Sequence, residues 1–211
     1  MTAKPRKNAA ASRERILTAA ATEFAARGYA GANMDRIARR ARLNKAMIYY
    51  HFTNKAALYR EILNDMFGAV RARVAEVAAS EAAPADKIRG YVAAIAGEAE
   101  ARPHFPPIWL REIAEGGEHI DAATITAMGG VLGALRAILD EGTRLGRFQP
   151  VRNPLMLHGG IIAPLMFFFA TAGVRRKLER GGAVGAASIQ TGDVIAHIQQ
   201  LALAELEGRL A

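Results

Sequence analysis

Cysteine is absent from all 211 residues. That excludes disulfides, thiolate metal sites and thiol nucleophiles, and it suits a reducing compartment such as the cytoplasm. Stretches that alternate apolar and polar residues with period two are also missing, so nothing argues for a β-strand. The N-terminus, MTAKPRKNAAASRER, lacks the apolar run of a secretory signal. No phosphate-cradling glycine loop, HExxH or GxSxG elbow is present, so an enzyme is not expected. The nearest acidic cluster, Glu112 and Glu115 in REIAEGGEH, reads as a solvated helix face. His104, His119 and His158 lie far apart in the chain and give a metal site no support. Neither a metal nor a cofactor is expected.

Acidic residues are scarce in one region only. Residues 1–60 hold 13 Lys/Arg and 3 Asp/Glu, a net +10, whereas the other 151 residues hold 15 and 17, a net −2. All the excess positive charge of the chain therefore lies in its first 60 residues. Such an asymmetry favours a polyanionic partner, because each cation that neutralises a phosphate releases a counterion.

Most of what remains repeats with helical period. Residues 1–11, basic and alanine-rich, are expected to form a disordered arm, with Ser12 as the N-cap of a first helix. Ile16, Ala20 and Phe24 share its apolar stripe, and Gly28 ends it. A helix is expected from Asn54 to about Ala79, with Leu58, Ile62, Met66, Val70, Val74 and Val77 inward. Helices over 86–101, 105–114 and 119–145 follow, the last with Ile125, Met128, Leu132, Leu135 and Leu139 as its stripe. Asn153 caps a helix that starts with Pro154 and runs to Gly173, apolar on every face. Its 19 residues from Leu155 approach the length of a membrane span, but His158, three glycines and Pro164 favour a core or subunit-interface helix. No membrane association is expected. Residues 181–188 read as a flexible connection, and 190–208 as a last helix. The fold class is all-α, with about nine helices.

The chain is organised around NMDRIARRARLNKAMIYYHFTNK, residues 33–55. Asn33 caps a short helix with Ile37, Ala38 and Ala41 inward; a turn follows at Arg42-Leu43. Asn44 caps a second helix, Lys45 to His51, which buries Ile48 and Phe52, and Thr53-Asn54 caps the next. This pattern, together with ILTAAATEFAARGY upstream, resembles the DNA-binding segment of the TetR family of bacterial repressors. The resemblance covers roughly residues 12–60. It implies a three-helix helix-turn-helix head over 12–60 and a ligand-binding and dimerisation domain over 61–211.

Several expectations follow from the resemblance. The function is that of a sequence-specific transcriptional regulator, most simply a repressor released from a palindromic operator by a small apolar or amphipathic effector. The alternative is a DNA-binding regulator controlled by a protein partner. Lys45, Met47 and Tyr49 are the candidates for reading base edges, with Asn44 and Ala46 near enough to matter, and Asn33 is counted among the DNA-binding residues. Carried over residue by residue, the family's phosphate contacts fall on Tyr49, Tyr50, His51 and Lys55, and one of the two tyrosines is expected to be partly structural. The family usually has glycine where this chain has Arg42. A left-handed non-glycine residue costs about 1–2 kcal/mol, so either the turn differs or Arg42 gains a phosphate contact. Helices 153–173 and 190–208 are the candidates for joining a homodimer. His104, Phe105, Trp109, Met128, His158, Met166 and Phe168 are the candidates for lining an effector pocket.

Overall fold

The computed structural model describes residues 4–182 and 189–209, all helical apart from turns. Ten helices are present among them: α1 (Lys4–Gly31), α2 (Met34–Ala41), α3 (Lys45–His51), α4 (Lys55–Ala79), α5 (Pro84–Ala101), α6 (Phe105–Ala114), α7 (Ala122–Arg144), α8 (Pro154–Ala170), α9 (Ala172–Arg180) and α10 (Thr191–Leu206).

Three asparagines start three successive helices in the way their side chains allow. Asn33 Oδ1 accepts from the N–H of Asp35 at 2.7 Å, Asn44 Oδ1 from Met47 at 2.8 Å, and Asn54 Oδ1 from Ala57 at 2.8 Å. Each satisfies a backbone donor that the first helical turn leaves without a partner. Gly28 (φ 69, ψ 177) breaks α1 near its end, as expected of glycine. Ser12 is not the N-cap that the sequence suggested. The backbone is already helical from Lys4, and Ser12 lies within α1, buried, with its hydroxyl donating to the Ala9 carbonyl at 2.9 Å. Residues 1–3 of the expected arm lie outside the described residues.

α4 is 25 residues long. Its expected stripe from Leu58 to Val74 is buried throughout, while Val77 is only half-buried. It packs along α7 and α5 toward its C-terminal end and against α1 near its start. On α7 the buried stripe differs from the expected one. Thr124, Ala127, Val131, Ala134, Leu135 and Ile138 face inward, whereas Ile125 is 60% exposed and Met128 and Leu132 are half-buried. Small residues let α7 approach α4 closely, so size was the wrong guide to its inner face.

The apolar run expected as one helix to Gly173 is two. α8 stops at Ala170 and the chain bends by 56° into α9. The Thr171 hydroxyl donates to the Phe167 carbonyl at 2.7 Å, and the Arg175 guanidinium lies 3.7 Å from the Phe168 ring while donating to its carbonyl. The Phe168 carbonyl is thereby taken up by a side chain, while that of Phe167 also keeps the Thr171 N–H at 3.0 Å. α8 is not buried on all faces either, since Leu155, Met156 and Phe167 are 57%, 76% and 65% exposed. The connection expected over 181–188 begins with Gly181, which caps α9; residues 183–188 lie outside the described residues.

Candidate nucleic-acid interface

α1, α2 and α3 enclose Ile16, Ala20, Phe24, Ile37, Ala38, Ile48 and Phe52, all buried. This core sets the angle of α3 and leaves its outer face in water. α2 is fixed to α1 through Glu23, a buried carboxylate that pairs with Arg36 Nε at 2.5 Å and Arg27 Nε at 3.7 Å. The same oxygen accepts the Asn33 N–H at 3.4 Å.

The turn between α2 and α3 answers the geometric half of the question raised by Arg42. Arg42 is left-handed (φ 53, ψ 45), and no other non-glycine residue described has positive φ. Its N–H reaches the Arg39 carbonyl at 3.1 Å, and the Leu43 N–H reaches Ala38 at 3.0 Å. This is the usual glycine-terminated helix end, built without glycine. Arg15, on α1, donates to the carbonyls of Ala41 and Arg42, the latter at 3.1 Å, and so holds the turn in place. The sequence alone did not single out Arg15, because the bond spans 27 positions.

On α3, Ile48 is fully buried, while Tyr49 and Tyr50 are 47% and 75% exposed. Neither tyrosine is buried in the core: Tyr49 has about half of its surface covered, and Tyr50 packs edge-on to the His51 ring at 5.0 Å. Lys45 and Ala46 are exposed, and Met47 is half-buried. Met47 and Tyr50 share with Ala9, Ala11, Ser12, Arg15 and Leu43 a groove of about 540 Å³ between α1 and α3. Lys45 Nζ bonds Asp35 Oδ2 at 3.0 Å, both groups being exposed, so the pair is screened and easily exchanged for another anion.

His51 and Lys55 are more deeply engaged than the other candidates. His51 Nε2 lies 2.7 Å from Ser12 Oγ. The Ser12 proton is directed at the Ala9 carbonyl, so the imidazole N–H is the donor of this second bond. Lys55 Nζ donates to the Ala32 carbonyl at 3.2 Å and approaches that of Ala30 at 3.5 Å, 4.4 Å above the Tyr29 ring. It staples the segment after Gly28 to the start of α4.

A sequence model described as "Bacterial regulatory proteins, tetR family" matches residues 16–62, the span from α1 into α4. The HTH-type transcriptional repressor NicS of Pseudomonas putida is 29% identical over 161 residues, 75% of each chain. Residues 16–62 thus match the helix-turn-helix segment of the TetR family. Two solved structures of such regulators carry the same fold. PfmR from Thermus thermophilus superposes with a TM-score of 0.71 at 24% identity, over 92% of this chain and 99% of its own. FadR from Bacillus subtilis, in complex with stearoyl-CoA, does so with a TM-score of 0.68 at 16% identity, over 92% and 98%. A helix-turn-helix, DNA-binding regulator of transcription is what these similarities support, and the relatives matched are regulators rather than enzymes.

The effector candidates of the chain fall into separate side-chain groups. Phe105 is buried and Trp109 half-buried, and both pack edge-on to Phe67, at 5.6 Å and 4.8 Å. His158 Nδ1 shares a 2.9 Å hydrogen bond with the Tyr91 hydroxyl, and burial lowers the His158 pKa. Burial, followed by the nearby Arg102 charge, also lowers that of His104. Met166 is buried; Met128 and Phe168 are half-buried, the latter beneath Arg175. Glu112 departs most from expectation. Read as part of a solvated face, it has no exposed surface at all, because its side chain points into the junction of α6 with α1 and α4.

Proposed function

We propose that this chain binds a palindromic operator as a homodimer in the cytoplasm, represses transcription there, and is released by a small apolar or amphipathic effector. The observation that carries the reading is the exposure pattern of α3. A seven-residue helix anchored by one fully buried isoleucine keeps two tyrosines, a lysine and an alanine in water, flanked by the chain's excess positive charge. A major groove admits such a helix, and three or four side chains suffice to read base edges there. Lys45, Ala46, Met47 and Tyr49 take that role, with Asn33, Arg42, Asn44 and Tyr50 toward the backbone. His51 and Lys55 serve by holding α3 and the start of α4 in register, and contribute to phosphate binding through the charge of Lys55.

The head extends over residues 12–60 and the effector and dimer domain over 61–211. Leu155, Met156 and Phe167 of α8 and Leu201 of α10 are exposed apolar side chains on two helices packed against each other. Four helices, two from each subunit, would cover them. The neighbour FadR holds stearoyl-CoA, which favours an amphipathic effector here, received among Phe105, Trp109, Met128, Met166 and Phe168, with His104 or His158 as polar contact.

Selection of bound sequences from random duplex DNA tests the reading directly. A two-fold symmetric consensus is expected, protected from cleavage by the purified chain. An unenriched pool, or a single unrepeated half-site, would sink it.

A further inference from the structure

The chemistry left unused by DNA binding lies where α6 meets α1 and α4. Glu112, in the last turn of α6, is fully buried. One of its oxygens accepts the His119 backbone N–H at 2.7 Å. The other accepts the Tyr59 hydroxyl at 3.0 Å and lies 3.3 Å from His119 Nδ1. No lysine or arginine forms an ion pair with Glu112 among the described residues; its ion-pair partner is His119, which is cationic only when protonated. Arg111, its chain neighbour, donates instead to the carbonyls of Phe24, Ala25 and Ala26 of α1. A buried carboxylate without a permanent cation is costly even when hydrogen-bonded, and a bound cation would offset that cost.

The surroundings are those of a ligand set. Glu115, three residues along the chain from Glu112, is exposed, and one donor atom from each of Glu112, Glu115 and His119 lies within 4.8 Å of the other two. The His119 ring is held by Tyr29, with centroids 3.9 Å apart, and by Tyr59, at 5.1 Å edge-on. The Tyr59 hydroxyl orients the Glu112 carboxylate, as groups behind metal ligands commonly do. Burial, followed by the Glu112 charge, raises the Tyr59 pKa, which keeps the phenol a donor.

We propose that Glu112, Glu115 and His119 bind a divalent transition-metal cation such as zinc. Two carboxylates and one imidazole are a common set of donors for such ions, with water in a fourth position. Metal–ligand distances of about 2.0–2.2 Å put tetrahedral donor atoms roughly 3.3–3.5 Å apart. Glu115, exposed at the end of α6, supplies the remaining closure by a rotamer change. The cation sits against Tyr29, which follows the break at Gly28 and carries Lys55 on its ring. Its occupancy therefore bears on how firmly α1 is tied to α6.

The full chain, freed of metal by a chelator and dialysed, is titrated with Zn²⁺, Co²⁺ or Mn²⁺ without DNA. Thermal unfolding and bound metal per chain are the readouts. Uptake of one cation per chain and a higher Tm are expected. Glu115→Gln, at an exposed position, should leave the metal-free Tm unchanged and weaken metal affinity more than about tenfold, the loss expected when one of three protein ligands goes. The proposal is overturned if none of the three ions is taken up, or if Glu115→Gln binds as tightly as the parent. It is equally overturned if Tm is the same with and without each of the three ions. With no operator in the assay, the outcome stands apart from the DNA-binding reading.

Discussion

Arg42 occupies a backbone conformation that suits glycine, and the surrounding bonds to Ala38, Arg39 and Arg15 hold it there. Replacing it with glycine removes the Cβ clash, a gain of about 1–2 kcal/mol offset in part by the greater freedom of the unfolded chain. Arg42→Gly should therefore unfold at higher temperature while binding operator DNA less tightly, because an exposed cation beside α3 is lost. Parallel melting and electrophoretic-shift titrations check both halves. His158 gives a second residue-scale expectation. Burial lowers its pKa, so the folded state prefers the neutral ring. Between the folded value and the unfolded value near 6.5, the unfolded chain binds more protons, so stability rises with pH there. The contribution is complete above about pH 6.5 and is lost as pH falls toward the folded value. His158→Gln should flatten that part of the Tm–pH curve, while His104, shifted in the same direction, leaves a residual slope.

At the scale of elements, close approach decides more than side-chain size. The chain turns back after α7 by laying Phe148 directly on Gly142, where an added Cβ would stand 2.0 Å from the ring. Phe148 is buried and has no free space to retreat into. Gly142→Ala should cost about 1–3 kcal/mol through displaced packing, measurable by chemical denaturation, and leave α3 and its DNA contacts unaltered in kind. α8 and α10 present the opposite situation, with large apolar side chains and nothing described against them. Met156→Glu combined with Phe167→Glu should convert a dimer to a monomer at micromolar concentration in sedimentation, with little change in helix content by circular dichroism. A double variant that still sediments as a dimer would place the subunit contact elsewhere.

For the whole molecule the uneven charge is the controlling property. A net +10 within residues 1–60 faces a polyanion, while the remaining 151 residues are close to neutral. If a dimer makes roughly six to ten phosphate contacts, its operator affinity should fall by about 10³–10⁵ between 50 and 200 mM salt. Fluorescence anisotropy across that range gives the slope. A shallow slope would mean that the basic residues are spent on internal bonds, as Arg15, Arg36 and Lys55 partly are. α4 reaches from the helix-turn-helix into the packing of α5 and α7, and α1 is bonded to α6 through Arg111, so effector-linked changes in head spacing have these two contacts to pass through.

What could be read from the amino-acid order was the chemistry that acts within one helical turn. The caps at Asn33, Asn44 and Asn54, the break at Gly28 and the inner stripe of α4 from Leu58 to Val74 depend on neighbours three or four positions away. Those interactions are nearly the same in any fold that keeps the helices, which is why α3 and its exposed face were legible. Long-range packing decided the rest. Glu112 is buried because Tyr59, 53 positions earlier, and His119 close over it. Lys55 is drawn inward by the carbonyls of Ala30 and Ala32, and Ser12 loses its role as a cap because α1 continues past it and offers His51 a partner. A polar side chain is solvated or buried according to what stands opposite it, and that is a property of the assembled helices.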